Sequence, residues 1–318
     1  MVSIYLPIAE TSVDLGLLLG IGGGVGFMSG LFGVGGGFLL TPLLIFANVP
    51  PTVAVATGGN HVAGSSFSAL LTHWRRGGVD PRMGTVLLLA GVLGSATGVR
   101  IFRWLVETGQ VDLVVALSYV TLLGVVGALM LAESARDWLR RGAPPPPPGP
   151  PSRLEKFIRR LPFKRHFPRS ALTISLIPPV VIGFAVGVLS AVMGVGGGFV
   201  MVPAMLYILK MPARVVVGTS LMQITVVAAA STLMHAYVNQ TVDVVLALVL
   251  LVGGVVGAQI GAIFGAKLRA ERFQFLLAAL VLVTAGRLAY DLVARPGPED
   301  LYVVRHEEGS GAWRRGGG

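Results

Sequence analysis

The sequence predicts an all-α integral membrane protein, a polytopic helical bundle of two inverted repeats, each holding a Gly-broken helical hairpin and three spanning helices. Three observations carry that expectation. Apolar segments of about 20 residues, the length needed to cross a hydrocarbon layer about 30 Å thick, recur along most of a 318-residue chain that is 53% hydrophobic and 13% charged. A glycine cluster occurs twice in one register, GLFGVGGGFLLTP at 30–42 and AVMGVGGGFVMVP at 191–203, which reads as an internal duplication. Basic residues, finally, change sides between equivalent loops of the two halves.

Composition narrows the function classes. The mean hydropathy is +0.77, and 44 glycines suit helices that approach closely where no hydrophobic effect drives them together. The net charge of +10 comes from basic residues sitting mainly between apolar runs, so it reports orientation and points to a lipid bilayer, with no nucleic acid as partner. The chain has no cysteine, which excludes disulfides, thiolate metal sites and cysteine sulfur relays. No cofactor or metal is expected. The N-terminus lacks the features of a secretory signal, so the first apolar run is read as structural.

In chain order, residues 1–13 form a tail and 14–132 the first repeat. Its first run, Leu15 to Leu31, ends in the Gly33 to Gly37 cluster, and Phe38 to Ala47 continues as a ten-residue apolar piece. Ten residues rise only about 15 Å as helix, so Leu15 to Ala47 reads as a broken hairpin with the glycines at its tip. Paired prolines make a turn at Asn48 to Pro51. Thr52 to Trp74 follows as the most polar span, carrying Thr57, Asn60, His61, Ser65, Ser66, Ser68 and His73; Met83 to Ile101 and Val111 to Leu131 complete the half.

Residues 133–170 are expected to be a cytoplasmic linker, with ten Lys or Arg against three Asp or Glu, and their centre, Ala143 to Pro151, reads as a stiff polyproline spacer, with a docking site for a partner as the alternative. The second repeat, 171–294, repeats the plan. Leu172 to Met193 leads into Gly194 to Gly198, Phe199 to Leu209 is the short piece, and Val215 to Val238, Val242 to Ala266 and Phe273 to Ala294 are the spans. His73 falls on His235, and Gly94 and Gly98 fall on Gly257 and Gly261. Residues 295–318 read as a disordered tail.

Loop charge fixes the orientation. Arg75, Arg76 and Arg82 follow the first long span, whereas Asn239 to Asp243 has no basic residue; Asn48 to Thr52 has none, whereas Lys210 and Arg214 mark its counterpart. Short basic loops belong in the cytoplasm, so the halves are expected to be inverted, both chain ends outside and the linker inside. Arg100 and Arg103 run against that rule. Inverted repeats with interrupted helices point to a secondary transporter whose site lies where the repeats meet.

The glycines supply the chemistry. A break inside a bilayer exposes backbone groups that must be satisfied or face a cavity, and the start of each short helix offers free N–H groups and a positive dipole end suited to a small oxyanion. The expected substrate-binding residues are Gly33, Gly35, Gly36, Gly37, Gly194, Gly196, Gly197 and Gly198, with Thr57, Asn60, His61, Thr219, Ser220 and Gln223 on the faces of the following spans. Asn60 and Gln223 can donate from their amides, and His61 is the histidine placed to titrate. His73 and His235 read as interfacial packing, and Arg287 with Asp291 as an ion pair at helical spacing. No Asp or Glu lies mid-span, and no nucleophile and base fall at one depth. An enzyme is therefore not expected, and export of an anion can be driven by the membrane potential.

The duplicated G-x-G-G-G-F-x-x-x-P element, the Ser- and Thr-bearing span after it and the Gly94/Gly98 and Gly257/Gly261 spacing resemble the sulfite exporter TauE/SafE family over residues 14–294. The resemblance implies a multi-pass permease of the cell inner membrane that moves a small sulfur-containing or organosulfur anion, such as sulfite or sulfoacetate, usually outward. It carries the family glycine motifs onto Gly33, Gly35, Gly36, Gly37 and Pro42, and onto Gly194, Gly196, Gly197, Gly198 and Pro203. An anion channel and an uptake permease for another oxyanion are the alternatives, and assembly as a homodimer is left open by the sequence.

Overall fold

The computed structural model describes residues 3–32, 35–139, 161–265 and 281–290. Gly33, Asp291, the polyproline centre of the linker, the start of the last expected span and the C-terminal tail lie outside these residues. The helices are α1 (Leu15–Phe32), α2 (Gly37–Phe46), α3 (Pro51–Arg75), α4 (Pro81–Glu107), α5 (Val111–Leu139), α6 (Ile177–Met193), α7 (Gly198–Pro203), α8 (Ala213–Val238), α9 (Val244–Gly265) and α10 (Val281–Tyr290). A π-helical turn, Ala204–Ile208, continues α7.

Four of these helices, Pro81–Glu107, Val111–Leu129, Arg214–Val238 and Val244–Phe264, are long and apolar enough to cross a membrane. The 25-residue α3 is long enough but too polar, because Thr57, His61, Ser65, Ser66 and Ser68 lie along it. It needs no lipid-facing composition. These five side chains are all buried, and α3 packs along both α8 and α9.

Two segments differ from the sequence expectation. Residues 3–13, read as part of a tail, pair together with Asp14 as a hairpin of β1 (Ser3–Leu6) and β2 (Thr11–Asp14), with Ser3 opposite Asp14. The end of the linker and the start of the expected span form a second hairpin, β3 (Lys164–Phe167) and β4 (Leu172–Ser175), with Lys164 opposite Ser175. Helix α6 therefore begins at Ile177 rather than Leu172, with Pro178 in its first turn where a missing N–H costs nothing.

The packing exchanges the two halves of the chain. Helix α1 lies along α9 and α4 along α6; α3 contacts α9 as α8 contacts α4; and α3 and α8 pack on each other. Glycines set the first two contacts. A methyl group on Gly22 would stand 2.9 Å from the Leu250 carbonyl oxygen, and one on Gly253 2.8 Å from that of Leu19. The other pair matches, with Gly98 against Val188 O at 2.7 Å and Gly183 against Leu87 O at 2.6 Å. In each case backbone, not side chain, fills the space a side chain would need.

Enlarging these glycines should separate the helices. Gly253→Val and Gly183→Val are expected to destabilise the protein by about 1–3 kcal/mol, the usual cost of overpacking, read as a lower unfolding temperature in detergent. Gly20→Val, which meets nothing within 4 Å, should leave that temperature unchanged.

Candidate functional site

The two glycine elements end one helix and start another through left-handed backbone. Gly35 and Gly36 have φ of 83° and 64°, and Gly196 and Gly197 have φ of 72° and 75°, a region open to glycine and costly for other L-residues. Gly36 and Gly197 are the N-caps of α2 and α7, and each carbonyl accepts the first bonds of its helix: Leu39 N at 3.1 Å and Leu40 N at 3.3 Å on Gly36, Val200 N at 3.2 Å and Met201 N at 2.9 Å on Gly197. The side chains that follow meet, Phe38 and Phe199 stacking with centroids 4.9 Å apart and planes 19° from parallel.

Carbonyls at the end of α6 also find partners. Carbonyls in the last turn of a helix have no partner within it. At the end of α6, Tyr119 from α5 donates its hydroxyl to Met193 O at 2.7 Å and His235 from α8 reaches Ala191 O at 2.9 Å. Asn239 Nδ2 lies 2.8 Å from His235 Nδ1, which fits an imidazole donating from Nε2. His235 is buried against the edge of Phe102, so it is a clamp on the helix break rather than an interfacial side chain.

Both breaks face one aliphatic pair. A methyl on Gly35 would lie 3.1 Å from Ile224 Cγ2 and 3.4 Å from Val62 Cγ1, and one on Gly196 would overlap Val62 and lie 3.3 Å from Ile224 Cγ2. Val62 and Ile224 hold equivalent positions on α3 and α8, are fully buried and pack on each other's cluster with Ala228. Gly37 and Gly194 add close contacts, to the Val195 backbone and to the Val55 carbonyl. Gly198, the first residue of α7, is buried with them.

The polar residues named from the sequence divide sharply. Gln223 is fully buried, and neither its Oε1 nor its Nε2 has a hydrogen-bond partner; it rests against Gly91 of α4, where a methyl would stand 3.0 Å from Nε2. His61 holds the matching place on α3, against Gly254 of α9, with Nε2 2.9 Å from Gly22 O and Nδ1 unpartnered. Asn60 is half-buried and donates to Ala247 O at 3.5 Å, and Ser220 donates to Val217 O within its own helix at 2.8 Å.

Thr57 and Thr219 are committed elsewhere. Thr57 Oγ1 accepts from Asp243 N at 3.0 Å, and Thr219 Oγ1 accepts from Asp80 N at 2.9 Å while donating to Val215 O at 2.6 Å. Each threonine stands five residues, an axial rise of about 7.5 Å, before Val62 or Ile224, and because Thr57 meets Asp243, just past the end of α8, while Thr219 meets Asp80, just past the end of α3, the two helices run antiparallel and the threonines lie on opposite sides of that pair. Ser66 was not singled out as a ligand, yet its buried hydroxyl has no partner and a methyl on Gly35 would lie 3.4 Å from it. Its helical offset of four from Val62 could have marked it. Arg287 lies over the Phe46 ring, 5.4 Å from its centroid.

The sulfite exporter TauE/SafE family model matches residues 18–288. The chain belongs to the sulfite exporter TauE/SafE family. A probable membrane transporter protein of Xylella fastidiosa (strain 9a5c) is 28% identical over 292 residues, covering 89% of this chain and 100% of that protein. The probable membrane transporter protein YjnA of Bacillus subtilis (strain 168) is 29% identical over 267 residues, covering 83% of this chain and 95% of its own; YunE of the same strain is 24% identical over 290 residues, covering 87% and 93%. No solved structure matches. Family membership together with the apolar helices makes this a multi-pass membrane transporter.

The aromatic stack at the family's glycine element should couple the two helix breaks. In a double-mutant cycle of Phe38→Leu and Phe199→Leu, a coupling of about 0.5–1.5 kcal/mol is expected, measured by unfolding in detergent.

Proposed function

We propose that this transporter moves a small sulfur-containing anion, sulfite or an organosulfonate such as sulfoacetate, outward across the bacterial inner membrane, without a chemical step, by alternating exposure of a central site. The two halves are taken as inverted, as their loop charges indicate. The observation that carries the reading is the convergence of two left-handed glycine breaks on Val62 and Ile224, beside a buried Gln223 with both amide atoms unpaired. A buried unpaired amide costs free energy unless something hydrogen-bonds it, and a transported oxyanion would accept from its Nε2. His61 and Ser66 offer further polar atoms nearby. Asn60 is the half-buried amide of the same span.

The substrate class rests on the family description and on the donors at hand. Backbone N–H groups at helix starts and neutral side chains hold anions well, and no Lys or Arg lies within α1, α2, α6, α7 or α9. Potential alone can drive export, since an inside-negative membrane contributes about 2.3 kcal/mol per charge per 100 mV.

The deciding experiment is efflux of radiolabelled sulfite from proteoliposomes holding the purified protein, with the potential clamped and a pH gradient imposed or removed. Flux that follows the potential supports the reading. Flux of a sulfonate with none of sulfite overturns the sulfite assignment, and flux of neither overturns the substrate class. Gly36→Ala and Gly197→Ala are each expected to lower the rate tenfold or more while the protein still inserts, because the methyl meets left-handed backbone, at a cost of about 1–2 kcal/mol, and at Gly36 also Val25 O at 2.9 Å. Gln223→Ala should raise KM about tenfold, the loss of one hydrogen bond to a charged group, with little change in the unfolding temperature.

A further inference from the structure

The two threonines that the sequence offered as anion ligands belong to a pair of matching junctions, one on each side of Val62 and Ile224. In the first, Asp243 caps α9: its Oδ1 accepts from Leu246 N at 3.1 Å, its N–H donates to Thr57 on α3, and its Oδ2 accepts from Ile8 N at 2.9 Å in the β1–β2 turn. In the second, Asp80 caps α4: Oδ1 accepts from Arg82 N at 3.1 Å and Met83 N at 3.2 Å, the N–H donates to Thr219 on α8, and Oδ2 accepts from Ser170 N at 3.0 Å and Ser170 Oγ at 2.6 Å in the β3–β4 turn. Both aspartates are buried. Each junction ties a central helix and a hairpin of one half to the fourth helix of the other half.

That arrangement has a mechanical meaning in a carrier. Alternating access needs contacts between the halves that break on one side of the site while the equivalent contacts on the other side hold. These junctions join the halves, flank the central pair at about 7.5 Å each, and differ in side, since the β1–β2 turn sits with the start of α3 whereas the β3–β4 turn sits with the loop that follows α3. We propose that the Asp243–Thr57–Ile8 and Asp80–Thr219–Ser170 junctions are the two latches of the transport cycle, each closing one face. The proposal rests on alternating access as read above, not on the identity of the anion.

The chain contains no cysteine, so Val62→Cys gives a single reporter at the centre. In vesicles of each orientation, labelling of that thiol by a small membrane-impermeant methanethiosulfonate reads access from one face at a time. Asp243→Asn keeps a good helix cap but opposes an amide to Ile8 N–H, and Asp80→Asn does the same at Ser170. Asp243→Asn should raise the labelling rate roughly tenfold or more, only from the face of the β1–β2 hairpin, and Asp80→Asn only from the opposite face. The isosteric Thr57→Val and Thr219→Val should follow the same two faces and serve if an asparagine variant fails to fold. Enhanced labelling from one common face, or none in folded variants, overturns the latches. A raised KM for the anion in Thr57→Val without any change in labelling would instead make Thr57 a ligand. Labelling as expected with no sulfite flux would retain the latches and remove only the substrate assignment.

Discussion

A helix that stops inside a membrane leaves backbone N–H and C=O groups where lipid cannot satisfy them, and the rest of this protein is arranged around that constraint. The breaks at Gly35–Gly36 and Gly196–Gly197 are buried: Gly35 and Gly196 face α3 and α8, Gly36 faces α1 and Gly197 faces α6, and the Met193 and Ala191 carbonyls at the end of α6 are taken by Tyr119 and His235. Enclosure in turn demands that the surrounding helices come very close. Glycine makes that approach, with the carbonyls of Leu250, Leu19, Val188 and Leu87 standing where side chains would be. Glycine thus meets one requirement at two places, in the breaks and in the walls that hide them.

Because each half closes on the other half rather than on itself, the duplication is structural as well as sequential. The first helix of each half lies along the fourth helix of the other, and neither half retains that contact alone. Equivalence stops at the centre. His61 and Gln223 occupy matching notches, against Gly254 and Gly91, but the imidazole reaches a Gly22 carbonyl while the amide reaches nothing. Ser66 faces Gly35 where its counterpart, Ala228, has no hydroxyl. These differences make the space between the two equivalent helices one-sided.

Much of this was legible in the sequence, for physical reasons. Left-handed backbone selects glycine, so the register of Gly35 with Gly196 and of Gly36 with Gly197 announced both breaks, and the shortened apolar pieces announced α2 and α7. Helical spacing on α3 and α8 put His61 and Gln223 near the breaks. The hairpins were not legible: four-residue strands at 3–14 and 164–175 carry too little periodicity to stand out from a tail and a linker. Nor was the fate of Thr57 and Thr219, because a hydroxyl on a helix face looks the same whether it awaits a ligand or accepts from a backbone N–H, and the donors, Asp243 and Asp80, lie 186 and 139 residues away in the chain.

The two buried aspartates sit at helix starts, not in mid-helix. Asp80 and Asp243 stand just before the first turns of α4 and α9, where helix dipole, backbone donors and a hairpin turn satisfy a buried acid. The second is the more lightly held. Asp80 Oδ2 receives two bonds from Ser170, and Arg169 adds a bond to the adjacent Val79 carbonyl at 3.0 Å, whereas Asp243 Oδ2 receives one from Ile8. Val62 and Ile224 stand between the glycine loops, with the Asp243 and Asp80 junctions formed on either side of them. Of the hydrogen bonds that join the halves, those of Asp243 to Thr57 and Ile8 are fewer than those of Asp80 to Thr219 and Ser170.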